Sequence, residues 1–200
     1  MSNLTGQERF LQDFEQAGSD YDYFVSSKLL DGIPATWADD SLNYTMWRHT
    51  VASYLGVNPL SVLVVGSARL GYSLNPEKNF KLFDHMSDID VAIVSSEYFE
   101  KAWDEIRVLF ENGTLPSDKI GYYRKLIVDR CIPTESILPL LSFGIKWSKN
   151  KDKITEKLGK QFYNNTIEYR VYRDHQALID YQRNSLKNAY IIATAPQVEK

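Results

Sequence analysis

Residues 61–94 constrain this chain more than any other segment. The segment opens with a run of branched apolar residues, "SVLVV", and closes with another, "VAIV", and each reads as a strand buried in a core. The first run stops at Gly66-Ser67. The second is headed by Asp88 and Asp90, although aspartate is among the poorest strand formers. Side chains alternate along a strand, so Asp88 and Asp90 are expected on one face, with Ile89, Val91 and Ile93 packed on the other. Carboxylates at that spacing repel unless solvent screens them or a cation lies between them. A hard divalent ion, chiefly magnesium, supplies that cation when a polyphosphate shares its coordination. At position 66 the missing β-carbon lets a phosphate approach the backbone, and Ser67 adds a hydroxyl and an amide donor. These are the parts of a metal-assisted phosphoryl-group site.

The flanking segments read mostly as helix. "QERFLQDFEQA" places Phe10, Leu11 and Phe14 at helical intervals, and "SLNYTMWRHTVASYLGV" does so with Tyr44, Trp47, Val51 and Leu55 before Gly56. "SSEYFEKAWDEIRVLFENG" carries Phe99, Trp103, Ile106 and Phe110 at steps of three and four, between a capping serine and "NG". "SDKIGYYRKLIVDR" and "TESILPLLSFGIKWS" are further helical segments, the second kinked at Pro139. A lysine-rich connection, "KNKDKITEKLGK", leads to "NNTIEYRVYRD", where Ile167, Tyr169 and Val171 alternate with Thr166, Glu168 and Arg170 as a third strand. A helix over 175–192 closes the chain, and the tail from 194 is expected to fray.

The expected fold class is α+β, a small mixed β-sheet flanked by N-terminal helices and a C-terminal helical region. At 200 residues the chain reads as one domain. Its parts are an N-terminal helical part (1–58), a Gly-Ser and Asp-x-Asp core (59–113), a helical insert (114–160), and the third strand with its closing helix (161–200).

In this order, "VVGSARLG" followed by "SDIDVAIV" resembles the DNA polymerase β-like nucleotidyltransferase superfamily, whose hallmark is an apolar strand ending in Gly-Ser and a second strand bearing Asp-x-Asp. The resemblance covers residues 61–94, with the third strand as a looser extension. It implies a sheet of nucleotidyltransferase type, magnesium (or manganese) bound by Asp88 and Asp90, and a nucleoside triphosphate held by Gly66 and Ser67. Arg69, close by in the chain, is read by its position as a further nucleotide-binding candidate, against the alternative of a solvated surface group. It also implies a third carboxylate on a later strand. Glu168 is the first candidate by position, with Asp129 and Asp174 as competitors, and the family usually has aspartate there. A second departure is the long connection "YSLNPEKNFKLFDHM" between the two halves. The implied activity is transfer of an NMP from an NTP to an acceptor hydroxyl on a protein, a nucleotide or an RNA. Small stand-alone members of the superfamily serve in toxin-antitoxin and phage-defence systems. The alternative is a catalytically inactive module of the same type that binds a nucleotide or a partner protein.

The formal charge of −3 gives no global attraction to nucleic acid or to anionic membrane. Phosphate must therefore be drawn locally. Lys146, Lys149, Lys151, Lys153, Lys157 and Lys160 form a positive run, read first as a solvated face and less favourably as a nucleic-acid contact. Arg170 and Arg173 could serve phosphate from the third strand. His85 is read as incidental, since magnesium prefers oxygen. With one cysteine, Cys131, there is no internal disulfide or cysteine-built zinc site, and the residue is read as a passive buried thiol. The amino terminus lacks the pattern of a signal peptide, and no segment approaches the roughly 18 apolar residues of a membrane span, so a cytoplasmic location is expected.

Overall fold

In the computed structural model, residues 4–38, 40–115, 118, 120–134, 137–157 and 165–196 are described. Thr5 starts the first helix by a reciprocal cap: its hydroxyl accepts from the Glu8 amide, and the Glu8 carboxylate accepts from the Thr5 amide at 2.8 Å. This helix, α1 (Gly6–Gln16), is followed by the single turn α2 (Tyr21–Phe24), a π-helical stretch (Val25–Leu30) and α3 (Ser41–Leu55), which ends at a left-handed Gly56. Strand β1 (Val62–Val65) runs directly into a short helix, α4 (Gly66–Leu70). An excursion over residues 71–88 then leads to β2 (Ile89–Val94). The rest of the chain forms α5 (Ser96–Glu111), α6 (Ile120–Asp129), β3 (Cys131–Pro133), α7 (Gly144–Glu156), β4 (Ile167–Tyr172) and α8 (His175–Ala193).

The strands form one mixed sheet in the order β1-β2-β4-β3, and the fold is α+β as expected. β1 and β2 are antiparallel, β2 and β4 parallel, and β3 and β4 antiparallel. Alternation divides the sheet into unlike faces. Val62, Val64, Ile89, Val91, Ile93, Ile167, Tyr169 and Val171 meet the apolar sides of α3, α5, α6 and α7 in the main core. On the other face Val65, Ala92, Val94, Cys131 and Tyr172 meet Ala177 and Leu178 of α8. A further core holds α1, α2 and the π-helical stretch against α8 and against Tyr72, Leu74 and Phe80 of the excursion.

The region after α6 differs from expectation. Pro139 sits in a 3-10 turn (Leu138–Leu140), and the helix starts only at Gly144, from which it continues through the lysine-rich connection to Glu156. A side chain at 144 would collide with the Leu138 carbonyl, 1.4 Å from where a β-carbon would stand. Trp147 and Ile154 are fully buried, and this inward face, two turns long, keeps the lysine-rich segment helical. Strand β3 was not anticipated, because three residues are too few to show alternation. Lys160 and the end of the tail lie outside the described residues. Among the described residues no helix is long and apolar enough to cross a membrane.

Candidate functional site

Strand register brings the sequence candidates together. Asp90 lies opposite Val65, the last residue of β1, and on its other side opposite Glu168 of β4. Both carboxylates belong to the face of the sheet on which α8 packs. Gly66, next in the chain after Val65, has φ +65°, and a β-carbon there would stand 2.6 Å from Asp90 Oδ2. The glycine therefore makes room for the carboxylate of the neighbouring strand as well as for any ligand.

Asp88 precedes β2, which begins one residue later than the alternation suggested. It is exposed and accepts a short hydrogen bond from Thr166 Oγ1. The turn before it is fixed from both sides. The Asp84 carboxylate accepts from the Met86 amide at 2.9 Å and the Ser87 hydroxyl at 3.0 Å, and it pairs with Lys81. The Lys81 contact leads in holding that carboxyl at about 2, below the ordinary 3.8. Across from it the buried Asn165 donates to the carbonyls of Asp84 and Ser87 at 3.0 and 2.6 Å. Adjacent residues at the head of β4 thus hold the loop that presents Asp88.

Gly66, Ser67, Asp88, Asp90 and Glu168 line one cavity of about 660 Å³. Asp174, by contrast, caps α8 by accepting from the Ala177 amide at 2.7 Å, and neither it nor Asp129 lines the cavity. Of the three proposed third carboxylates, the structure places only Glu168 here. Glu168 is not bare: Lys151 Nζ of α7 donates to it at 2.9 Å, and both side chains are about three-quarters buried. The remaining described lysines of the run, Lys146, Lys149, Lys153 and Lys157, are exposed.

Arg69 requires a correction. It is 6% exposed, and its guanidinium donates to the carbonyls of Lys28 at 2.8 Å and Gly32 at 2.9 Å. Burial lowers its pKa from the ordinary value, and the side chain joins α4 to the end of the π-helical stretch, away from the cavity. Arg170 stands at the cavity. It lines the cavity two residues beyond Glu168, donates to the Tyr181 hydroxyl, and lies 4.8 Å from the centre of the Tyr181 ring. Burial opposes its charge, but Tyr172, Tyr181, Cys131 and Asp90 outweigh that effect, so its pKa is raised and the guanidinium stays cationic. Arg173 pairs with Asp174 instead, and His85 is exposed in the turn before Asp88. Burial pushes the Cys131 thiol up to about 11, in keeping with a passive role. Lys78 of the excursion also lines the cavity; the sequence offered no signal that a lysine in a polar loop would do so.

The carboxylates present only oxygen donors, which suits magnesium or manganese. Among the described residues no group of three His, Cys, Asp or Glu side chains is gathered for a metal. Thr166 holds Asp88, and Lys151 supplies positive charge at Glu168. The oxygen donors of Asp88 and Asp90 therefore fit a hard ion, while Glu168 is paired with Lys151. No family model, curated protein or solved structure matches this chain.

Proposed function

We propose that the chain is a metal-dependent nucleotidyltransferase, with a sheet of nucleotidyltransferase type, that moves an NMP from an NTP to an acceptor hydroxyl and releases pyrophosphate. The observation that carries this reading is convergence: Gly66-Ser67, Asp88, Asp90 and Glu168, drawn from β1, β2 and β4, share one cavity. Asp88 and Asp90 would hold the magnesium or manganese, which when bound neutralises phosphate charge and orients the reacting oxygens. Ser67 donates its hydroxyl to the triphosphate, and Lys78 and Arg170 offset the remaining negative charge. Glu168, on the strand beside Asp90, is placed to accept a proton from the acceptor hydroxyl. Positioning and charge neutralisation carry most of such a reaction, which matches a site built from adjacent strands. The acceptor belongs to a protein, a nucleotide or an RNA.

The Lys151–Glu168 pair favours a second reading, a catalytically inactive module that binds a nucleotide or a partner protein. Incubation with magnesium and each labelled NTP, scored for pyrophosphate release and label transfer, separates the two. The transferase reading expects turnover that Asp88→Ala/Asp90→Ala abolishes. Nucleotide binding without turnover gives the silent module, and turnover that survives the double substitution removes these carboxylates from the chemistry.

A further inference from the structure

The reaction proposed above uses the carboxylates and cations of the cavity but leaves one amide in its lining unexplained. The buried residues of α8 are Ala177, Leu178, Gln182, Leu186, Ala189 and Ala193, an apolar stripe broken once. Gln182 breaks it. The residue is 6% exposed and lines the same cavity as Asp90 and Glu168. Its side chain bonds to no other described residue, yet it is not among the sealed, unsatisfied polar groups, so its amide opens onto the cavity. Water in the cavity can satisfy an amide so placed, but leucine, which stands one turn away on either side at 178 and 186, would serve the apolar stripe better. Packing therefore does not account for glutamine here. A ligand that enters the cavity and pairs with the amide does.

The chemistry of that ligand follows from the group. Glutamine is uncharged and offers one acceptor beside a pair of donors, which complements a neutral edge with the same alternation and gives a phosphate no advantage over the nearby lysine and arginine. The pairing that fits it best is bidentate, to the amino group and ring nitrogen of adenine. Ser185, three residues along α8, and Ser73 of the excursion line the same cavity and add hydroxyls. We propose that Gln182 is the base-reading residue of this site and selects an adenine nucleotide through paired hydrogen bonds to the edge of its base. This rests on reading the cavity as a nucleotide site. Gln182, Ser185 and Ser73 then form the base-recognition part of the lining, and the strand ends with Lys78 and Arg170 form the phosphate part.

The test is equilibrium binding of the α,β-methylene analogues of ATP, GTP, CTP and UTP, and of inorganic tripolyphosphate, to the full chain with magnesium. Wild type and Gln182→Leu are compared, with Gln182→Met as an unbranched second variant. The wild type should bind the adenine analogue at least about tenfold more tightly than the others, the range of one bidentate base contact. Both variants should bind the four analogues alike, retain tripolyphosphate affinity, and melt no lower than wild type. A wild type that binds all four equally, or variants that keep the adenine preference, would overturn the assignment. Pyrophosphate release from the natural triphosphates separates this from the parent reading. Adenine preference lost in the variants without any release upholds Gln182 and rejects the transferase. Release from all four alike in every protein rejects Gln182 and keeps the transferase.

Discussion

At Gly66 a positive φ and the close approach of Asp90 Oδ2 are required together, so any side chain there meets strain and a carboxylate at once. Gly66→Ala is expected to cost about 2 kcal/mol in a urea unfolding series and to weaken Mn²⁺ binding, because Asp90 must move aside. Glycine at 66 and the Asp-x-Asp pair were legible from sequence because spacing alone defines them. The role of Arg69 was not, since exposed and buried arginines look alike until the chain that meets them is known. Asp84 gives a pH prediction. Its carboxyl is held at about 2, below the ordinary 3.8, so the contribution of its contacts is complete above about pH 4 and is lost as pH falls through the lower value. A ¹³C titration of the Asp84 carboxyl should therefore show a midpoint near 2, and a midpoint near 3.8 would show that the turn before Asp88 is not held by these bonds.

Among the elements, α7 departs furthest from its sequence reading. Lysines dominate the segment, but Trp147, Lys151 and Ile154 follow one another by four and three residues, the spacing of a helix face. Lysine entered that face unnoticed because its long apolar stem can cross a half-buried surface and leave only the ammonium at the far end. Here the ammonium ends on Glu168, so α7 places a cation against that carboxylate. Lys151→Met should lower stability by about 1 kcal/mol, the range for a partly exposed pair, and raise Mn²⁺ affinity several-fold by calorimetry. A fall in affinity would mean that Lys151 supports the ion's site rather than competes for it. Strand β4 was legible through its alternation. Its parallel pairing with β2 was not, since direction is decided by what lies between the strands.

At the level of the whole molecule, α1 and α8 close on the excursion between β1 and β2. Phe10 is fully buried and stacks on Phe80 with ring centres 5.3 Å apart, Tyr72 donates to Asp13 at 2.8 Å, and Gln7 donates to the Ala193 carbonyl at 2.9 Å. The excursion, which the sequence marked only as unusually long, is thus covered by α1 and α8. Phe10→Ala should cost about 3–4 kcal/mol and, in hydrogen exchange, expose residues 72–83 and α8 before β1, β2 and β4. Uniform loss of protection across the sheet would show instead that the cores unfold together. The clip made by Asn165 and Thr166 has a consequence in time. A ribosome releases Asp88 and Asp90 some 77 residues before the dipeptide that fixes their loop, and β2 waits as long for its parallel neighbour. Every unfinished product of translation that stops before β4 therefore carries the two aspartates without the residues that hold their loop.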